Sequence, residues 1–144
     1  VPNQATIDLS WEGNYKFKAA DAFGHTMTVE APMNDGDEFG GFKPTHLMLT
    51  SLGACTAVDV VSILKKKRQD VTGVEIRVTA TQQEDWPKAW TAFHIHYVVA
   101  GRDVDPKAVD RSIELSEEKY CSVGATLKGV ATITTSFEVV DDAD

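Results

Sequence analysis

The chain has little cysteine, little positive charge and no long unbroken apolar run. Two cysteines in 144 residues are too few for a disulfide framework, which points to a reducing, cytoplasmic home rather than a secreted one. Lys and Arg number 14 against 22 Asp and Glu, a net charge of −8. That balance argues against a nucleic-acid or anionic-membrane binder, whose affinity needs clustered positive charge. Residues Val1 to Trp11 lack a basic start followed by an apolar stretch, so they do not read as a signal peptide. The phosphate-binding glycine loops, the nucleophile elbow G-x-S-x-G and the zinc motif H-E-x-x-H are missing. Their absence removes the commonest nucleotide, hydrolase and metalloprotease readings. The one candidate membrane span, Leu47 to Leu64, is interrupted by Thr50, Ser51, Gly53, Thr56, Asp59 and Ser62. A mid-span Asp costs about 3 kcal/mol on insertion scales, so the segment is read as a buried helix and no membrane partner is expected.

What is present fits one globular domain spanning residues 1–144, with 42% hydrophobic and 25% charged residues. Three strand-like runs come first: Ala5 to Trp11, Asn14 to Ala20 with Tyr15, Phe17 and Ala19 on one face, and His25 to Ala31 with Met27 and Val29 on one face. Turn residues at Glu12 to Asn14 and at Asp21 to Gly24 separate them, the pattern of an antiparallel meander. A loop rich in Gly and acids, Pro32 to Lys43, leads to a helix opened by Pro44 and closed by Lys65 to Arg68. That cationic cluster is read as trim on the negative end of the helix dipole rather than as a nucleic-acid tag. The helix is apolar around most of its circumference, which demands cover on every side, and a second copy of the chain would supply it. Two further alternating strands carry Val74, Ile76, Val78 and Ala80, then Phe93, Ile95, Tyr97 and Val99. Asp105-Pro106 opens a second helix with the stripe Val109, Ile113, Ser116 and Tyr120, and a last strand carries Ala131, Ile133, Thr135, Phe137 and Val139. The order β-β-β-α-β-β-α-β is that of an α+β fold.

Chemistry rests on few side chains. Cys55 sits in the middle of the apolar helix and Cys121 at the end of the second, 66 residues later. A buried free cysteine commonly behaves as a small inert hydrophobe. A pair that meets can instead pass through sulfenic acid to a reversible disulfide. Asp59, one turn beyond Cys55, would raise a thiol pKa rather than lower it, so activation has to come from elsewhere in the fold or from a partner chain. His94 and His96 share one strand face but lack the four tightly spaced ligands of a structural zinc site, and are read as solvent-facing.

The stretch PTHLMLTSLGACTAVDVVSILKKK, Pro44 to Lys67, resembles the central helix of the OsmC/Ohr family, most closely its YhfA-like branch. LSEEKYCSVGATLKG, Leu115 to Gly129, resembles the family's second-cysteine segment. The resemblance implies an intertwined homodimer whose long central helices pack back to back and are wrapped by antiparallel sheets. It also implies a thiol-dependent peroxidase that reduces organic or small hydroperoxides without metal, haem or other cofactor. Carried over, Cys55 is the peroxidatic thiolate and Cys121 condenses with it to a disulfide, which an external dithiol reduces. The family's hydroperoxide-resistance branch stabilises its thiolate with an N-terminal Arg and a Glu. This chain has no Arg before Arg68, and the Glu position reads Thr45, followed by His46. Lys16, Lys18 and His46 are the candidate replacements. The alternative reading is a non-catalytic dimer of the same fold that binds a small molecule or partner at its interface pocket.

Overall fold

A computed structural model describes residues 3–142, and the chain divides into two compact units after Met48. The first unit is the expected meander. Strands β1 (Asp8–Trp11), β2 (Lys16–Ala20) and β3 (Thr26–Glu30) pair antiparallel in chain order. The β1–β2 turn needs two left-handed residues, Gly13 and Asn14 (φ 97° and 49°). The β2–β3 turn is tied by Asp21, whose carboxylate accepts the Phe23 and His25 backbone N–H groups, both at 2.9 Å, and meets His25 Nδ1 at 2.8 Å. These bonds, the His25 side chain foremost, lower the Asp21 pKa. The acidic loop folds back on β3: Phe42 bridges Val29, and Glu30 accepts the Gly40 N–H at 2.5 Å. One face of this sheet is apolar across all three strands, in the rows Leu9–Ala19–Met27 and Trp11–Phe17–Val29. Leu9, Trp11, Phe17 and Met27 on it are exposed.

A 3₁₀ turn, Pro44–His46, precedes helix α1 (Leu47–Lys66). The helix stops short of the expected Arg68 because that residue turns left-handed (φ 57°) and Gln69 N–H closes back on the Leu64 carbonyl at 3.0 Å. The 23 residues from Pro44 to Lys66 are long and apolar enough to cross a bilayer by length and composition. One side of α1 is buried within the second unit through Leu52, Thr56, Val60 and Leu64. Its opposite side leaves Ala54, Val58 and Val61 exposed.

The second unit carries the mixed sheet β4-β5-β6, formed by Asp70–Gln82, Trp90–Arg102 and Thr132–Asp141. Strands β4 and β5 pair antiparallel as expected, whereas β5 and β6 run parallel. The difference has a plain cause: the helices between β5 and β6 form a crossover, and a crossover returns the chain in the same direction. Helix α2 (Pro106–Leu115) starts as its sequence predicts, with Asp105 accepting the Lys107 N–H at 3.0 Å and Pro106 at the first position. It does not continue regularly to Tyr120. Residues Ser116–Tyr120 form a π turn, and a further short helix, α3 (Ser122–Leu127), follows. Phe93, Ile95, Tyr97 and Val99 of the central strand face the core with Leu52, Val60 and Leu64 of α1 and Val109 and Ile113 of α2. Gly53 permits close approach of α1 to the sheet, since a Cβ there would lie 2.8 Å from Val78 Cγ2.

Candidate active site

The π turn brings the two cysteines together. It adds a residue to the helical turn, so the phase of the buried stripe slips. Tyr120, expected inside, is 53% exposed, and Cys121 is 5% exposed. Cys121 caps the N-terminus of α3, where its Sγ accepts the Gly124 N–H at 3.3 Å, while its own N–H closes the π turn on the Ser116 carbonyl at 2.8 Å. From α1, Cys55 and Asp59 face it across one helical turn. Both sulfurs and an Asp59 carboxylate oxygen lie within 4.8 Å of one another, and both cysteines are free.

Behind the sulfurs runs a chain of buried hydroxyls. Ser116 Oγ donates to Asp59 Oδ2 at 2.8 Å, Thr56 Oγ1 meets Ser116 Oγ at 2.9 Å, and Tyr97 OH meets Thr56 Oγ1 at 2.7 Å. A carboxylate only accepts and each hydroxyl has one proton. Ser116 therefore spends its proton on Asp59, Thr56 donates to Ser116, and Tyr97 donates to Thr56. Among the described residues no buried side-chain polar atom is left without a partner.

Burial pushes the Cys121 thiol up to about 11, with the Cys55 contact and the Asp59 charge adding to the shift and the Gly124 N–H opposing it. Burial likewise pushes Tyr97 up to about 12. At neutral pH Cys121 is thus a thiol, and Cys55 is the half-buried member of the pair. A cavity of about 130 Å³ opens beside Cys121, lined also by Thr56, Ser116, Glu117 and Lys128. Lys128 Nζ donates to the Glu117 carbonyl at 2.5 Å, and the Glu117 carboxyl is raised by burial, with Lys128 opposing.

The sequence matches a known family. The model of the OsmC-like proteins fits residues 34–136. The chain belongs to the OsmC-like family. It is 39% identical to Protein YhfA of Escherichia coli K12 over 132 residues, 92% of this chain and 96% of that one. A hypothetical protein from Aquifex aeolicus VF5, known as a crystal structure, is 32% identical with a TM-score of 0.86, covering 98% of this chain and 99% of that one. The organic hydroperoxide resistance protein OhrB of Bacillus subtilis shares the fold, with a TM-score of 0.64 at 14% identity over 94% of this chain and 98% of that one.

Within this OsmC-like chain the sequence-predicted residues separate clearly. Cys55 and Cys121 meet. His94 and His96 lie on the other face of the β4-β5-β6 sheet, where Ser136 Oγ bridges them at 2.8 and 2.7 Å and Thr134 Oγ1 meets His94 at 2.7 Å. Lys16, Lys18 and His46 belong to the first unit. Sequence reasoning alone does not single out Lys128, Thr56, Ser116 or Tyr97 as site residues. Only the position of Ser116 on the predicted buried stripe points toward one of them.

The raised groups set a pH dependence. The native state keeps protons on Cys121 and Tyr97 that the unfolded chain gives up around their ordinary values of 9.0 and 10.0. The contribution of these two groups to stability is therefore level below about pH 9 and falls as pH climbs toward the raised values. Urea midpoints should drop between about pH 7.5 and about pH 10.5, and Tyr97→Phe should flatten part of that drop. A midpoint that rises over this range would contradict the assignment.

Proposed function

We propose that this OsmC-like protein is a thiol-dependent peroxidase that reduces organic or small hydroperoxides through Cys55 and Cys121. The observation that carries the reading is the meeting of two free sulfurs and a carboxylate within 4.8 Å. The thiolate of Cys55 attacks the distal peroxide oxygen, the O–O bond breaks, and the protonated leaving oxygen departs as an alcohol. Cys55 is left as a sulfenic acid. Cys121 then gives up its proton and attacks the sulfenic sulfur, water leaves, and a Cys55–Cys121 disulfide forms. An external dithiol restores both thiols. The Bacillus subtilis neighbour, an organic hydroperoxide resistance protein, supports the substrate class, and a reducing cytoplasm suits the free cysteines. Lys128, on the cavity beside Cys121, is a basic group on the thiol-bearing unit placed to steer a polar peroxide head.

We further infer that the working form is a homodimer and that both units are parts of one OsmC-like domain. The family match runs across the unit boundary. The apolar face of the first sheet and the exposed Val58 and Val61 of α1 both call for cover. A second copy with the same surfaces supplies it, as an isologous interface requires.

Stopped-flow oxidation of the reduced protein with cumene hydroperoxide should consume the peroxide in wild type and lose at least about 100-fold in Cys55→Ser, since a hydroxyl is a poor nucleophile at neutral pH. Cys121→Ser should stop after one equivalent, at sulfenic acid. Wild-type thiols that stay reduced under excess hydroperoxide would leave the non-catalytic binding dimer as the better reading. Light scattering at about micromolar concentration should give a dimer for wild type and a monomer for Val58→Asp, because an unpaired charge at a buried interface costs several kcal/mol. A folded wild-type monomer would contradict the dimer.

A further inference from the structure

The same three donors that suit a peroxide also suit a metal ion. We propose that the reduced site binds one zinc-class dication through Cys55 Sγ, Cys121 Sγ and one Asp59 carboxylate oxygen, with water at the fourth position. Among the described residues, Cys55, Asp59 and Cys121 form the one group of three or more His, Cys, Asp and Glu side chains whose ligand atoms converge. Two thiolates and a carboxylate are a donor set that d¹⁰ dications favour over hard, oxygen-seeking ions. Tetrahedral bonds of about 2.3 Å to sulfur and about 2.0 Å to oxygen hold neighbouring ligand atoms about 3.5–3.8 Å apart. The present separations of up to 4.8 Å close by about 1 Å, within reach of side-chain rotation by the half-buried Cys55.

The outer ring of contacts is already built. Ser116 Oγ holds one Asp59 oxygen at 2.8 Å and leaves the carboxylate's other lone pairs free to ligate. The Gly124 N–H points at Cys121 Sγ at 3.3 Å, and N–H donors to a ligating atom orient it toward the ion. Of the three ligands, Cys121 lines a cavity of about 130 Å³ edged by Ser116 and Glu117, space of the kind a water ligand needs. On binding, both thiol protons leave to solvent and the sulfur lone pairs are engaged by the ion.

Binding follows from the donor set alone; only its effect on turnover rests on the peroxidase reading. An ion on Cys55 holds the electron pair that would attack the O–O bond. Conversely, one hydroperoxide, two thiolates and two protons give a disulfide, an alcohol and water, which removes both sulfur ligands. The metal is then released, so peroxide and metal exclude each other at this site.

Anaerobic calorimetric titration of the reduced full-length protein with Zn²⁺ tests this, with Co²⁺ as a spectroscopic probe of thiolate ligation. The expected result is one ion per chain and a near-ultraviolet sulfur-to-cobalt band. Cys55→Ser and Cys121→Ser should each weaken binding by at least about 100-fold and Asp59→Asn by about 10-fold. Protein pre-oxidised to the disulfide should not bind, while a His94→Gln/His96→Gln variant should bind as wild type does. No binding at micromolar Zn²⁺, a Co²⁺ spectrum without the thiolate band, or binding lost only in the histidine variant would overturn the proposal. The wild-type spectrum and the oxidised protein decide the matter even where a cysteine variant fails to fold. Hydroperoxide turnover of the metal-free protein, measured alongside, separates the two readings: turnover without zinc binding removes only the metal site, and zinc binding without turnover removes only the peroxidase.

Discussion

Three hydroxyls on three elements have to satisfy one another, because each is sealed from solvent. Thr56 comes from α1, Tyr97 from the central strand and Ser116 from the end of α2, and all three are at most 2% exposed. Leaving a buried hydroxyl without a partner costs about 1–3 kcal/mol, so the chain Tyr97–Thr56–Ser116–Asp59 fixes how α1 is rotated against β5 and where α2 has to end. Everything at the thiol pair depends on that registration. Thr56 pointing at Tyr97 sets its neighbour Cys55 and Asp59, one turn on, toward the π turn. Ser116, held by Thr56 and Asp59, anchors the start of that turn and so the placement of Cys121 at its end.

The electrostatics follow from the same packing. Cys121 is buried beside a carboxylate with one backbone N–H to favour its charge, and its thiol is pushed up to about 11. Cys55, on the half-buried side, differs from it in access rather than in residue type. Two identical side chains thereby sit in different surroundings, one half-buried and the other buried and protonated, as the proposed division of roles requires. Asp59 joins the pair in three ways: it raises Cys121, it is held by Ser116, and one of its oxygens lies within 4.8 Å of both sulfurs.

Much of the fold is legible in the residues because its signals are local. Alternation in Tyr15 to Ala19 and in Phe93 to Val99, and the Asp105-Pro106 cap, each act within a few residues. The apolar circumference of α1 is equally readable, and the structure shows it as a buried sheet-facing side and an exposed side bearing Val58 and Val61. Other features depend on partners distant in sequence. The parallel pairing of β5 with β6 follows from a crossover whose length is clear but whose return direction is a tertiary outcome. The π turn hides because its residues, SEEKY, continue a regular helical pattern. Extrapolating the 3.6 period puts Tyr120 inside and leaves Cys121 merely adjacent. The meeting of Cys121 and Cys55 is implied by family resemblance and by no local signal, whereas the π turn and the hydroxyl chain that hold them together are visible only in three dimensions.

Packing thus divides the two sulfurs into a half-buried Cys55 and a buried, protonated Cys121, and the proposed order of reaction rests on that division. Timed iodoacetamide alkylation of the reduced native protein, read by peptide mass spectrometry from about pH 6 to about pH 10, measures this division directly, because only the thiolate reacts. Cys55 should be modified first throughout, while Cys121 stays unmodified until the pH approaches its raised value. Modification of Cys121 ahead of Cys55, or of both at one rate near neutral pH, would contradict the division.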